Sequence, residues 1–342
     1  MMKTQGILLV QQGSPEAAFK LADIEVNVPR EDEVLIEVES FGLNYADVMA
    51  RLGLYRETPP LPCVIGYEVI GKVCQVGHES HADLLGKRVV AITHFGGYAK
   101  HAITKIKALI VIDNIPASEA MALATQGVTA YYMANYASPI RKGENVLIHA
   151  AAGGVGSLLI QLAKLAGANV FAKVSSNEKG KKCLDLGADY FVNYKTTDYV
   201  TFINSKIGEK QLDVSFNPVG GSTYKQDKQL LGAGSRIFIF GGSELSNGKW
   251  GKLSQINFLK KMGIELPIFA MMQSKGTIGV NMLRIALHRP EILVVCLSEV
   301  LHLYKTGQIK IQVGGVFSID QLNEAHKLLE SGNSIGKISV QW

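Results

Sequence analysis

The run Val146-Leu147-Ile148-His149 leads straight into Ala150-Ala151-Ala152-Gly153-Gly154-Val155-Gly156, and an apolar stretch over 158–166 follows without a break. Strand, glycine turn and helix in that order form the nucleus of a βαβ unit that binds a dinucleotide, and such a unit requires a parallel sheet around it. In the fingerprint G-x-G-x-x-G the second glycine lets the backbone approach a pyrophosphate, and the third lets helix and strand pack closely. Gly153 and Gly156 hold those places, with Ala151 where the first glycine would stand. Ala152, Gly153, Gly154, Val155 and Gly156 are therefore expected to cradle a pyrophosphate. Unpaired N–H groups and the helix dipole favour negative charge there.

The texture on either side of the turn agrees with a doubly wound sheet. Helical periodicity is expected over 121–133, 156–166, 179–186 and 199–207, alternating with strands over 145–149, 169–173, 190–193, 214–217, 236–240 and 277–281. Strands alternating with helices predict right-handed crossovers and a parallel α/β sheet of the Rossmann type. The first hundred residues read differently, as β-type runs at 34–38, 69–76 and 88–92 separated by turn residues. The tail, with a helix over 291–304, a strand over 309–313, a helix over 319–329 and a strand over 337–340, does not continue the βαβ rhythm and is assigned to that first β-rich lobe. The expected division is 1–122 with 285–342 against 123–284, two domains in 342 residues. A Gly, Ser and Asn-rich loop at 241–251 is the expected flexible insertion. Met262, Met271 and Met272, in the apolar segment 258–272, suit either an irregular core or a substrate wall.

Composition excludes several classes. The net charge of +5 comes from scattered lysines, too dilute to indicate nucleic-acid binding. No apolar run reaches the roughly 18 residues of a membrane span, and no secretory signal pattern is present, so a cytoplasmic protein is expected. Cys63, Cys74, Cys183 and Cys296 form no C-x-x-C pair, which argues for free thiols and against a zinc knuckle.

About 20 residues beyond the glycine turn, an NAD-binding chain places a carboxylate for the ribose 2′-OH. This chain has Lys173-Val174-Ser175-Ser176 there, with Lys179 close behind. Ser175 as a hydrogen-bond donor and Lys179 as a point charge suit a 2′-phosphate, so NADPH is the expected cofactor. Lys179 could otherwise open a solvated helix face, and Glu178 beside it opposes a phosphate.

The segments Phe41-Gly42-Leu43-Asn44-Tyr45-Ala46-Asp47, Arg51-Leu52-Gly53-Leu54-Tyr55 and Pro62-Cys63-Val64-Ile65-Gly66-Tyr67-Glu68 carry a family resemblance. Gly97-Tyr98-Ala99, Gly127-Val128-Thr129-Ala130, Asn193-Tyr194, Pro218-Val219-Gly220-Gly221 and Gly336-Lys337 extend it over nearly the whole chain. The sequence resembles the medium-chain dehydrogenase/reductase superfamily, in particular its zinc-free quinone oxidoreductase branch that includes zeta-crystallin, and within that the vesicle amine transport protein homologues. The resemblance implies a GroES-like catalytic domain joined to the Rossmann domain. Zinc-dependent members carry Gly-His-Glu where this chain has Gly66-Tyr67-Glu68, and a cysteine ligand near Asn44; no metal site is expected.

By the same resemblance Asn44 lies at the nicotinamide ribose or amide and belongs to the catalytic set. Thr129 contacts the nicotinamide end, and Tyr194 lies beside Ser175 and Lys179. Asn217, where branch members often carry Asp, Gly241 and Asn333 are further cofactor contacts; a basic residue common near Gly332 is missing. Tyr55 occupies the place of a tyrosine thought to donate a proton in zinc-free enoyl reductases, and it is either that acid or a wall of the substrate pocket. Tyr67 fills the pocket where the metal would be, and Asp47 orients the Asn44 loop. The implied activity is NADPH-dependent, metal-independent reduction of a quinone or related electrophilic carbonyl compound. The alternatives are reduction of an enoyl or alkenal C=C bond, and an NADPH-binding scaffold or lipid- or RNA-associated protein with little turnover. A homodimer paired through the strand at 277–281 is expected.

Overall fold

In the computed structural model, which describes residues 1–247 and 251–342, the chain divides into two units, Met1–Thr129 with Met282–Trp342, and Ala130–Asn281. Eight strands open the first unit: β1 (Met2–Leu9), β2 (Phe19–Val26), β3 (Glu33–Leu43), β4 (Cys63–Val64), β5 (Glu68–Val76), β6 (Arg88–Ile92), β7 (His101–Lys105) and β8 (Leu109–Val111). The second unit holds β9 (Asn145–His149), β10 (Asn169–Val174), β11 (Tyr190–Asn193), β12 (Leu212–Asn217), β13 (Leu231–Ile239) and β14 (Gly276–Gly279). The chain then returns to the first unit for β15 (Val313–Ser318) and β16 (Lys337–Gln341).

In the first unit, β2-β1-β4 form a small antiparallel sheet, and β15-β16-β3-β5-β6-β8 form a larger one in which β7 also pairs with β3. The tail is stitched into this sheet by antiparallel pairing of β16 with β3, Ile338 opposite Leu43. Val34, Ile36, Phe41, Ile65, Val69, Val89, Tyr98 and Val340 fill the core. Residues 123–129, expected in the other domain, pack here: Gly127 lies so close to Val300 that a Cβ would stand 2.7 Å from its Cγ1, and the Thr125 N–H is donated to Glu68.

The second unit is a parallel sheet in the order β11-β10-β9-β12-β13-β14. That order reverses direction beside β9, and in such sheets ligands gather at the carboxyl ends of the strands near the reversal. The glycine turn leaves β9 at that point.

Several expectations need correction. The helix expected over 121–133 is broken into Ala117–Ala122, a π turn Leu123–Gly127, Val128–Tyr131 and a second π turn Tyr132–Ala137; Ala124, with ψ −108°, interrupts it. The strand expected over 309–313 is β15 at Val313–Ser318, hidden by Gly314 and Gly315. A Cβ on Gly314 would stand 2.3 Å from the Ile335 carbonyl oxygen, so the glycine permits the β15–β16 pairing that propensity alone argues against. Of the loop at 241–251, Ser243–Asn247 is a 3₁₀ turn, a helix runs over Gly251–Met262, and residues 248–250 lie outside the described residues. Helices at Pro267–Gln273 and Met282–His288 were not expected. Met262 packs on the core of the second unit, whereas Met271 and Met272 are exposed and belong to no core.

Candidate functional site

In the first unit, Asn44 closes β3 and caps the helix Tyr45–Arg51. Its backbone N–H is donated to Asp47 Oδ2 at 2.8 Å, so Asp47 orients the turn locally. The Asn44 side chain faces inward: Nδ2 donates to Glu68 Oε1 at 2.8 Å, and Oδ1 accepts from Lys337 Nζ at 3.1 Å. Lys337, fully buried, also donates to the Leu43 carbonyl at 2.9 Å and to Glu68. Three ammonium protons thus meet three acceptors, which is what a buried cation requires to offset its desolvation. The other Glu68 oxygen accepts the Thr125 N–H at 2.8 Å. Thr129, one helical turn further, donates its hydroxyl to the Thr125 carbonyl at 2.5 Å.

Tyr55 and Tyr67 meet edge to face with ring centroids 6.0 Å apart, and Phe95 lies 5.2 Å beyond Tyr67. The Tyr67 hydroxyl is buried and interacts with that of Tyr55. Burial, then the nearby Glu57 and Asp47 carboxylates, raise the Tyr55 phenol above its ordinary value. It therefore holds its proton at neutral pH. Burial also pushes the Asp47 carboxyl up to about 8, against the Asn44 N–H and Lys337.

The zinc-ligand positions of this unit do not suit zinc. Tyr67 presents a phenol in place of an imidazole, Glu68 is already neutralised by Lys337, and Asn44 stands near where the cysteine ligand would be, with its amide bonded to both. Among the described residues no three His, Cys, Asp or Glu side chains are gathered as metal ligands.

In the second unit, Ala150 takes the left-handed conformation, φ 48°, that opens the turn after β9, so the strained position precedes Ala151. Gly153 caps the helix Gly154–Leu165. A Cβ on Gly156 would stand 2.5 Å from the Ala150 oxygen and 2.7 Å from the Ala151 Cα, and one on Gly153 would stand 3.1 Å from the Ala150 oxygen. Close packing therefore requires Gly156 and leaves little room at Gly153, and the first-turn N–H groups of the helix are left for an anion. This is the geometry that a pyrophosphate needs.

Val174 and Asn193 are paired at the ends of β10 and β11, and the Tyr194 N–H is donated to the Val174 carbonyl at 3.1 Å. Ser176 caps the helix Asn177–Asp185 by accepting the Lys179 N–H at 3.3 Å. Ser175, Lys179 and Tyr194 are thereby held around the same strand ends. The Lys179 side chain is 9% exposed, and burial lowers its pKa; it is not part of a solvated face.

Asn217 faces inward. Its Oδ1 accepts the Val219 and Gly220 N–H groups, both at 2.9 Å, and its Nδ2 donates to Thr223 Oγ1 at 2.9 Å and Asp227 Oδ2 at 2.7 Å. It braces the loop after β12, with every polar atom engaged. Gly241 is exposed, and a Cβ there would stand 2.6 Å from the Pro218 oxygen. Asn333 is exposed in a turn where its N–H is donated to Ser331 Oγ at 3.2 Å.

Three features escaped sequence reasoning: the Lys337–Glu68 pair, Lys173, and a buried carboxylate at Asp227. His149 Nε2, Tyr199 Oη, Ser215 Oγ and Asn217 Nδ2 all donate to Asp227, at 3.0, 2.7, 2.7 and 2.7 Å. Nothing local in the sequence signalled them, since the partners of each lie on distant elements.

Residues 30–137 match the alcohol dehydrogenase GroES-like domain, and residues 154–266 match the family described as zinc-binding dehydrogenase. The structure of Escherichia coli quinone oxidoreductase complexed with NADPH superposes with a TM-score of 0.85 at 27% identity, covering 99% of this chain and 100% of that one. The chain belongs to the medium-chain dehydrogenase/reductase superfamily. A Salmonella typhimurium quinone oxidoreductase is 29% identical over 94% of both chains. The synaptic vesicle membrane protein VAT-1 homolog of Danio rerio is 27% identical over 90% of this chain, which spans 63% of that protein's length. The first unit thus contains the superfamily's GroES-like domain and the second is its Rossmann domain, as the motifs implied. In this member of the superfamily, Lys337 and Asn44 engage the glutamate that follows the histidine position of the zinc-dependent forms.

Proposed function

We propose that the protein is an NADPH-dependent, metal-independent oxidoreductase that reduces quinones or related electrophilic carbonyl compounds. The observation that carries this reading is the array of Ser175, Lys179 and Tyr194 at the ends of β10 and β11, with no carboxylate closing β10, beside a glycine turn built for a pyrophosphate. The named quinone oxidoreductases among its relatives, one of them complexed with NADPH, support it.

NADPH, when bound, supplies the hydride. The glycine turn and the helix dipole hold the pyrophosphate, while Ser175, Lys179 and Tyr194 hold the adenosine 2′-phosphate. Quinone, hydride and one proton give the hydroquinone. Tyr55, which keeps its proton at neutral pH, is the proposed donor of that proton, and Tyr67 is proposed to line the pocket beside it. With no zinc site at the ligand positions, the acceptor must be electrophilic by itself, as quinones and enones are.

The same phenol, half-buried and edge to face with Tyr67, supports a second reading, protonation at carbon during reduction of an enone or enoyl C=C bond. Nucleotide-fluorescence titration with NADPH and NADH, followed by stopped-flow oxidation of bound NADPH by a quinone and by an enone, tests both. Tight NADPH binding with faster quinone turnover supports the first reading. Faster enone turnover supports the second, and binding without turnover on either acceptor points to a scaffold.

We also propose a cytoplasmic homodimer. All four cysteines are unpaired, which suits a reducing compartment, and no helix among the described residues is long and apolar enough to cross a membrane. β14 ends the parallel sheet, and Phe269, Met271 and Met272 nearby are more than half exposed. A monomeric mass by light scattering would refute the dimer.

A further inference from the structure

Lys173, next to last in β10, is buried in the second unit although no carboxylate bonds its ammonium directly. Nζ lies 3.8 Å from the centre of the Tyr199 ring and 5.3 Å from that of Tyr194, and it donates to His149 Nδ1 at 3.4 Å. His149 in turn donates Nε2–H to Asp227. The amine is thus held by two aromatic faces and one imidazole, a setting in which cation–π attraction replaces part of its hydration. Tyr194 is half exposed and its backbone is tied to Val174. Its ring is thus partly open to solvent with the Lys173 ammonium 5.3 Å from its centre. Ser175 is two residues further along, in the bend that follows β10.

We propose that Lys173 is a specificity-determining residue for the adenosine 2′-phosphate: its buried ammonium fixes the Tyr194 ring and adds a second positive charge, beside Lys179, to the end of β10. The proposal rests on the NADPH reading above. It places a charge behind the site, where bulk salt screens it less than an exposed lysine.

Burial lowers the Lys173 amine to about 8, opposed by Asp227, Asp198 and Glu244. The groups that face it come from each neighbouring element: His149 at the end of β9, Tyr194 after β11, Asp198 and Tyr199 at the start of the helix Tyr199–Ile207, Asp227 on the helix Ser222–Leu230, and Glu244 on the turn after β13. His149 is held neutral, lowered by burial and by Lys173 itself. A phosphate dianion nearby favours the charged amine, so NADPH binding takes up a proton near pH 8 and NADH binding does not. Above pH 7 the phosphate, with a second pKa near 6, is already about nine-tenths dianion or more and adds little slope, of the opposite sign.

The test is nucleotide fluorescence with NADPH and NADH between pH 7 and 9.5, on the full-length protein and on Lys173→Met and Lys173→Arg. In the unsubstituted protein the preference for NADPH should fall about tenfold across that range, as an amine charge within reach of the phosphate is lost. Lys173→Met should weaken NADPH about tenfold at pH 7, leave NADH unchanged and abolish the slope. Lys173→Arg, whose guanidinium does not titrate in this range, should keep the preference at every pH. The pH profile of the unsubstituted protein needs no variant, so misfolding of a variant does not remove the test. Equal weakening of both nucleotides by Lys173→Met, or a slope that survives in Lys173→Arg and so belongs to Lys179, would overturn the proposal while NADPH preference stands. Absence of NADPH preference in the unsubstituted protein would instead defeat the cofactor reading, and this proposal with it.

Discussion

Replacing Glu68 by Gln keeps the shape of the side chain and an oxygen for the Thr125 N–H, but it turns an amide NH2, a donor, toward the Lys337 ammonium and Asn44 Nδ2, where Oε1 accepted from both. The perturbation therefore removes the charge and that acceptor together. Both side chains are wholly buried, and the remaining partners of the ammonium, the Leu43 carbonyl and Asn44 Oδ1, are neutral. Breaking a buried pair by removing one charge leaves the other uncompensated, at a cost of ~3–5 kcal/mol. Total stabilities of domains run to about 5–15 kcal/mol, so the loss is a large fraction of the whole. At roughly 2–4 °C per kcal/mol for a unit of this size, the melting temperature should fall by about 6–20 °C.

The chain has two tryptophans. In a Trp250→Phe background, Trp342, packed 6.1 Å from Phe41 between ring centroids, reports on the first unit alone during urea denaturation. The double variant Glu68→Gln/Lys337→Met should lose less than the two single variants combined, by about 2 kcal/mol or more, because neither charge is then left unpaired. A loss below about 1 kcal/mol for Glu68→Gln would refute the reasoning, since it would mean that Lys337 is solvated or sheds its proton at little cost.

Asp47→Asn should remove a pH dependence. A carboxyl raised to about 8 in the folded state and near 4 when unfolded contributes stability that is complete below about pH 4 and is lost as pH rises through about 8. The gap between the two proteins should widen in favour of the variant over that window and then level off; urea midpoints from pH 4 to 9 that differ by a constant amount would refute this. Gly156→Ala drives a methyl against backbone atoms at 2.5 and 2.7 Å, neither of which has a rotamer to yield. It should destabilise the second unit by ~1–3 kcal/mol and abolish nucleotide binding, read by thermal melting and NADPH fluorescence. Tyr55→Phe should lower turnover by about 10²-fold with NADPH affinity intact if the phenol delivers the proton; unchanged turnover in single-turnover kinetics would make it a pocket wall.

The glycine turn was legible because its requirements are local. Strand, turn and helix are consecutive in sequence, and the atoms that exclude a Cβ at Gly156 belong to residues 150 and 151. The same holds for Ser176 and Lys179, three residues apart. Asn44 was legible as a turn residue but not in its orientation, since Lys337, which accounts for much of it, lies 293 positions away and arrives through the pairing of β16 with β3. β15 was displaced in the sequence reading because two glycines mimic a loop until a partner strand is seen to need them.

Charge was the least legible quantity, and for a physical reason. A net +5 spread over scattered lysines describes the solvated surface, yet the two lysines with the most to do, Lys173 and Lys337, are buried. Nothing in their immediate sequence separates them from exposed ones, because what desolvates them comes from distant elements: Tyr194 and Tyr199 for one, Glu68 and Asn44 for the other. Asn217 makes the same point in reverse. Read alone, an Asn where relatives often carry Asp suggests a weakened site. In the structure Asp227 brings the carboxylate to within 2.7 Å of the Asn217 amide and bonds His149 as well. The acid stands on the facing helix, Ser222–Leu230. There its charge is shared among four donors and stands one imidazole away from the Lys173 ammonium. On that helix Asp227 balances a buried lysine through His149, and both of its oxygens are already engaged by donors.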